Sequence, residues 1–277
     1  MALLFYYFYN WIVMKKTYLT FVLILISISL FAQNGNGVNS SVFKSGEWFQ
    51  FRIHYGPFNA SYATMQLNET NYKGKSVYHV IGKGTTTGLA RLFFKVDDNY
   101  ESYFDKVDGK PYRFIRQIDE GGYTKDLEIL FNHEVNSAIA YDRKRKKDTT
   151  LTIPVGVQDM MSAFYYFRNN VEFNKLKYGD DFVIDMILDD DEIFKFKMRY
   201  LGKEVLRTKF GKVETLKFRP YVQSGRVFKA KESLTVWISN DENRAPVRIK
   251  ASLRVGSIVA DLEGFKGLKN SFKIIMN

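Results

Sequence analysis

The sequence predicts an all-β protein: one antiparallel, curved sheet, formed as a barrel or roll, with one packed α-helix around residues 157–170. Three observations carry that expectation. Short segments in which apolar and polar residues alternate recur along the chain. Turn signals punctuate them, among them Gly56-Pro57, Lys73-Gly74, Asp108-Gly109 and Gly121-Gly122. A single stretch exchanges the two-residue period for a helical one.

Residues 47–55 set the pattern. Phe49, Phe51, Ile53 and Tyr55 point one way, and Trp48, Gln50, Arg52 and His54 the other, as in a half-buried strand. Residues 61–67 follow with Ala63, Met65 and Leu67 on one face, and 77–81, 96–104, 112–118 and 123–131 continue in the same manner. Residues 138–141 and 149–153 read as the two arms of a hairpin. Residues 157–170 then place Met160, Phe164 and Phe167 at helical spacing, with Met161, Tyr165 and Arg168 beside them; Asp159 is suited to cap the first turn. A shorter helical turn is expected at 88–94. In the second half, 181–188 and 192–201 flank the acidic turn Asp189-Asp190-Asp191, and Phe194, Phe196, Met198 and Tyr200 alternate with Lys195, Lys197 and Arg199. Residues 213–219, 233–239, 247–253 and 257–262 complete the strands. No repeat, proline-rich linker or charge block divides 42–277, which is expected to be a single β domain with a seam near 154–170 between two meanders.

The first residues read as an export signal. Residues 1–31 contain no acid and two bases, Lys15 and Lys16, followed by an apolar run to Phe31 and then Ala32. A basic start, roughly 15 apolar residues and a small residue at the end form the secretory pattern. Residues 1–32 are therefore expected to be a signal peptide, with Met14 directly before the lysines as an alternative start. Residues 33–41 form a polar, flexible leader. Removing Lys15 and Lys16 from 41 bases leaves 39 against 30 acids, a net charge of +9. The expected location is the periplasm or the periphery of the outer membrane. Nucleic acid is not the expected partner there; anionic lipids and other amphiphiles are.

The absence of cysteine excludes a disulfide scaffold, thiol catalysis, Fe–S ligation and a lipid-modified N-terminal cysteine. With three histidines, His54, His79 and His133, no histidine-rich metal centre and no cofactor is expected.

Two longer motifs carry more than composition. They are Gln158-Asp159-Met160-Met161-Ser162-Ala163-Phe164-Tyr165-Tyr166-Phe167-Arg168 and Val236-Trp237-Ile238-Ser239-Asn240-Asp241-Glu242-Asn243-Arg244-Ala245-Pro246-Val247, the latter followed by Gly256 and Leu262. With Glu120-Gly121-Gly122-Tyr123 and residues 211–220, they resemble the exported bacterial domain-of-unknown-function (DUF) family 3108, and the leader resembles those of Bacteroidetes exported proteins. The resemblance implies a β-rich envelope protein and brings no catalytic residues with it. Ser61 stands where glycine is common in such proteins.

Four constellations are candidates for chemistry. Asp159, beside an aromatic helix, is either a general base or an N-cap, and the cap is the expected role. Asp189, Asp190, Asp191 and Glu192 supply oxygen ligands without the spacing of a calcium loop, and a solvated turn is expected. Asp241, Glu242, Asn243 and Arg244 before Pro246 are either a catalytic acid with an Arg clamp or a hairpin turn, and the turn is expected, with Arg244 pairing Asp241 or Glu242. Arg143, Lys144, Arg145, Lys146 and Lys147 form the densest positive charge, at the tip of the 138–153 hairpin, and are the candidate binding residues for anionic headgroups.

The function expected from these features is that of a non-enzymatic envelope protein that binds a lipid or other anionic amphiphile and touches the membrane peripherally. The alternatives are a ligand-free scaffold for an envelope partner protein and, third, a carboxylate-based glycan hydrolase. The leader generates a direct test. Mass spectrometry of protein recovered from the native envelope should find an N-terminus near Gln33; an intact Met1 or Met14 would contradict export by this signal.

Overall fold

The computed structural model describes residues 41–276, apart from 89–90, 92–93, 191 and 223–233. The expected signal peptide and leader lie outside the described residues, except for Ser41, and so does most of the expected turn at 88–94.

Eight strands form the first meander: β1 (Trp48–Tyr55), β2 (Phe58–Tyr72), β3 (Lys75–Thr86), β4 (Val96–Asp105), β5 (Pro111–Glu120), β6 (Tyr123–Asn132), β7 (Ser137–Asp142) and β8 (Lys147–Thr152). The helix α1 (Met160–Asn170) follows. The second meander holds β9 (Asp181–Ile187), β10 (Ile193–Thr208), β11 (Gly211–Val222), β12 (Leu234–Ser239), β13 (Pro246–Ser252) and β14 (Ser257–Lys266). All fourteen strands join in one sheet, because β14 returns to pair antiparallel with β1 along Trp48–Tyr55. The sheet is the expected curved antiparallel one. Its edges are β8 and β9, and no ladder among the described residues joins them.

Each edge is protected differently. β8 carries Lys147, Asp148, Thr149 and Thr150, polar residues that blunt edge pairing. β9 is covered by the segment entering α1: Gln158 N–H donates to the Asp185 carbonyl, and Ile187 N–H donates to the Gln158 carbonyl, both at 2.9 Å. Turn chemistry sets the hairpins. The two-residue β5–β6 turn needs positive φ at both positions, and Gly121 (57°) and Gly122 (94°) supply it.

Two strands run further than their alternation announces. β10 continues past Leu201 because the register shifts between Tyr200 and Lys203, where Gly202 adopts φ 102°; the bulge interrupts the pattern without ending the strand. β2 extends on both sides of 61–67. Ser61, at the position where glycine was the comparison, is buried and donates its hydroxyl to the Thr85 carbonyl at 2.6 Å. The β1–β2 register shifts beside it, pairing Ile53 with Ser61 and His54 with Asn59.

α1 lies between the two meanders and is buried against both. Met161 and Tyr165 join the first-meander core of Leu67, Val80, Phe104, Phe114, Leu127 and Ile129. Phe167 joins the second-meander core of Met198, Leu216, Phe218 and Ile238. Phe164 is only half-buried, whereas Tyr165 and Arg168 are among the most deeply buried side chains of the chain.

Arg168 and Glu47 are both fully buried. The guanidinium donates to both carboxylate oxygens of Glu47, at 2.6 and 2.8 Å, and to the Asn243 carbonyl at 2.8 Å. The rings of Phe43, Phe49, Phe164 and Tyr165 surround it at 5.2–5.6 Å. Burial acts to lower the Arg168 pKa, but Glu47 outweighs it and keeps the group charged. Removing one member leaves an unpaired buried charge, so Glu47→Gln or Arg168→Met should each cost about 3–5 kcal/mol. The double variant Glu47→Gln, Arg168→Met should cost clearly less than the sum, as read from denaturant midpoints; strict additivity would show that the pair carries no coupling.

Candidate functional site

An apolar space lies between α1 and the second meander. Met160, Ala163, Phe164 and Phe167 face it from the helix. Ile184 and Met186 of β9, Phe196 of β10, Leu234 and Val236 of β12 and Ile249 of β13 face it from the sheet. Its volume is about 220 Å³, and every residue lining it is apolar. The helix makes the space: Ala163 presents a methyl group where its neighbours present rings. One side is walled by Phe167, packed edge-on against Phe182 (5.2 Å) and Phe218 (5.1 Å). A space of this size exceeds the ~150 Å³ apolar cavities that stay dry and bind benzene, and falls short of the ~300 Å³ at which drug-sized pockets begin. It suits one aliphatic stretch or a single ring.

Asp159 is the N-cap. Met161 and Ser162 N–H groups both donate to its Oδ1 at 2.8 Å, and Ser162 Oγ accepts from the Asp159 N–H at 3.0 Å, completing a capping box. Ser102 of β4 donates its hydroxyl to Oδ2 at 2.6 Å, which fastens the helix start to the first meander. Burial pushes the Asp159 carboxyl up to about 6, against the hydrogen bonds that favour its ionised form. Asp159, Ser102 and Ser162 are all fully buried, so this cluster offers a substrate no approach.

The acidic turn between β9 and β10 differs from the solvated turn expected of it. Asp189 and Asp190 reach across to the first meander and hold Lys125 of β6, with Lys125 Nζ to Asp190 Oδ1 at 2.7 Å; Asp189 also accepts from Arg116 of β5 at 2.9 Å. Lys125 is nearly buried, with Asp142 3.9 Å away. Burial opposes its charge, and Asp189 and Asp190 raise its pKa regardless. An ammonium thus occupies the place between these carboxylates that a cation would take.

The turn at Asp241 is as expected, with Asp241 Oδ1 accepting from Ser239 Oγ–H and from the N–H groups of Asn243 and Arg244. Arg244 departs from its expected pairing. It donates to the Arg168 carbonyl and lies over the Phe173 ring at 4.4 Å, while Glu242 pairs with Lys273. Sequence reasoning singled out no carboxyl pair for hydrolysis. The structure brings Asp98 and Glu120 together on β4 and β5, where burial and Glu120 push Asp98 up to about 6.

Residues 143–147 form the β7–β8 tip, as expected, and all five are exposed. Arg143 pairs with Glu128 at 2.5 Å and Asp126 at 3.5 Å, Lys144 donates to Thr124, and Arg145 lies 3.7 Å from Asp142. None of the five lines the apolar cavity. The cavity was foreshadowed only by the abundance of Phe and Tyr, which fill a core equally well.

Comparison with known proteins agrees with this architecture. A family model described as protein of unknown function (DUF3108) matches residues 50–263. No curated protein matches the sequence. Among solved structures, a β-barrel-like protein of domain of unknown function DUF1849 from Brucella abortus superposes with a TM-score of 0.54 at 9% identity, over 83% of this chain and 100% of that one. A DUF1089 family protein from Pseudomonas aeruginosa gives 0.33 at 10% identity, over 66% and 87%. A protein described as exported, with a YmcC-like fold, from Bacteroides fragilis gives 0.33 at 11% identity, over 82% and 99%.

The buried cap generates a pH dependence. The unfolded Asp159 carboxyl ionises near its ordinary 3.8, and the folded one near 6. Between those values the folded state binds more protons, so this group's contribution to stability falls as pH rises, by about 3 kcal/mol in all. Asp159→Asn keeps a good cap and removes the titration. Denaturant midpoints from about pH 4 to pH 7 should fall for wild type relative to the variant; parallel curves would show a carboxyl that is ionised throughout.

Proposed function

We propose, for a chain that belongs to the DUF3108 family of proteins of unknown function, that it is an exported, non-enzymatic envelope protein that holds the apolar end of an anionic amphiphile between α1 and the second meander. The single observation that carries this reading is the cavity: about 220 Å³, with no polar residue among those that line it. The secretory pattern of residues 1–32 supports the location, and the tip at Arg143, Lys144, Arg145, Lys146 and Lys147 supports a preference for anionic headgroups. The tip and the start of β12, where Leu234 enters the cavity lining, lie at the same end of the antiparallel sheet.

Magnitudes limit what the cavity does alone. A buried methylene contributes about 0.8 kcal/mol, so a stretch of about six carbons supplies about 5 kcal/mol, equivalent to a sub-millimolar dissociation constant before other costs. Useful affinity therefore requires a chain that continues beyond the cavity along apolar surface. The basic tip adds orientation and rate more than affinity, and its share fades with salt.

Ala163→Phe fills the cavity from the helix side. Titration with a fluorescent long-chain fatty acid should show binding to wild type and a loss of at least about tenfold in the variant, with the native circular dichroism spectrum kept. Replacing residues 143–147 by Gln should weaken the fatty acid at low salt and leave the uncharged alcohol of the same length unaffected. Equal binding by Ala163→Phe and wild type would overturn the assignment of the cavity.

A further inference from the structure

The inner face of the sheet does not stop being apolar where the core stops covering it. Along β1, Phe49 and Phe51 are buried, Ile53 is half-buried and Tyr55 is 41% exposed. The alternation that builds the core thus runs out into solvent at the β1–β2 turn.

The neighbouring strands do the same. The register aligns Leu234 of β12 with Ala251 of β13, Ala251 with Ile258 of β14, Ile258 with Tyr55 of β1, and Tyr55 with Phe58 of β2. Residues directly opposite in a ladder share a face. One apolar row therefore crosses five strands, beginning at a residue that lines the cavity and ending at Phe58, which is 73% exposed. Beside its outer end stand Leu253 (48%) and Val255 (75%) in the β13–β14 turn. Tyr55 Oη–H donates to the Val255 carbonyl at 3.1 Å, joining the two turns. Gly256 permits the contact, since a Cβ there would stand 2.6 Å from the Tyr55 oxygen.

Charge says what this tip faces. Successive antiparallel strands place the β1–β2, β5–β6, β7–β8 and β13–β14 turns at one end of the sheet. Arg254 is exposed within the apolar tip, and residues 143–147 are exposed at the same end. Among the described residues, no carboxylate pairs with Lys146, Lys147 or Arg254. Of the acids at this end, Asp97 and Asp119 are engaged by Arg91 and Lys95, and Asp189 and Asp190 by Lys125 and Arg116, while Asp98, Glu120 and Asp148 lie on β4, β5 and β8, away from the β1–β2 and β13–β14 turns. Exposed aromatic and aliphatic side chains flanked by unpaired bases match an interface of acyl chains beneath anionic headgroups.

From this we infer that the β1–β2 and β13–β14 turns dock on an anionic lipid bilayer, with Tyr55, Phe58, Leu253 and Val255 entering the headgroup layer and Arg254 with the basic tip meeting lipid phosphates. The docking stands on exposure and charge alone. Its link to the cavity, as the way an acyl chain enters along the row from Phe58 to Leu234, rests on the function proposed above.

Flotation of the purified exported protein with vesicles tests it. Wild type should float with phosphatidylglycerol vesicles, and weakly with phosphatidylcholine vesicles. Phe58→Ser with Val255→Ser should reduce flotation by about tenfold or more, since two exposed anchors are lost without touching the core. Val107→Ser changes an 83% exposed side chain at the opposite end and should float as wild type does. An unchanged unfolding midpoint in all three proteins confirms that folding is not the cause. Failure of wild type to float with either vesicle overturns the docking, as does equal flotation of the double variant. A dimer that Phe58→Ser dissolves, without flotation, would assign the surface to a second copy and also overturn it. Fatty acid titration of the same samples separates the two readings. A protein that does not float but loses fatty acid binding in Ala163→Phe keeps its cavity function; one that floats but binds no fatty acid keeps only the docking.

Discussion

The buried contact between Arg168 and Glu47 is the constraint on which the two halves of the sheet depend. A charged guanidinium removed from water requires acceptors for its donors, and those acceptors come from parts of the chain far apart in sequence. Glu47 immediately precedes β1, Arg168 lies in the last turn of α1, and the Asn243 carbonyl belongs to the β12–β13 turn. Satisfying one side chain therefore fixes the helix against the start of the first meander and a turn of the second. Asn169 adds a bond of the same kind, accepting from the Val42 N–H at 3.0 Å. Such a contact is weak evidence for net stability, since desolvation offsets much of the attraction; what it selects is one arrangement of the three elements over others.

With the helix fixed at its C-terminal end by Arg168 and at its start by Asp159 on Ser102, the sheet curls around it without a closing ladder. The work of closure at the open side falls to side chains. Asp189 and Asp190 at the tip of the β9–β10 hairpin hold Lys125 and Arg116 on β6 and β5. This is a polar latch across a seam, where a barrel would have backbone hydrogen bonds. A seam closed by side chains tolerates changes of spacing that a continuous ladder does not, and the apolar space beneath α1 lies in the half that carries the edge strand β9.

Much of this was legible in the sequence because it is local. Alternation in 47–55 and 192–201, the glycine turns and the Asp159 cap each depend on a few adjacent residues, and the fold class follows from them. What escaped was long-range. Nothing near Arg168 marks Glu47 as its partner 121 residues away. A run of aspartates looks solvated until the opposite wall brings a buried lysine to it. Met161 and Tyr165 were visible beside the expected apolar stripe, but a helix packed on two sides has no single stripe to find. Tyr55 is the instructive case: alternation correctly assigned its face and could not say whether anything would cover that face.

The last point bears on how function is read in such folds. Within a packed core an apolar row ends where its cover ends, and continuing it further exposes hydrophobic surface at a cost in solubility. Here the row from Leu234 to Phe58 continues past its cover, and the same end of the sheet carries bases without partners. Three buried polar clusters, by contrast, are satisfied internally: Asp159 by its cap, Lys125 by two carboxylates, Arg168 by Glu47 and a carbonyl. The surfaces left exposed at this end are apolar beside cationic residues, and the amphiphile binding and the docking proposed above rest on that pairing.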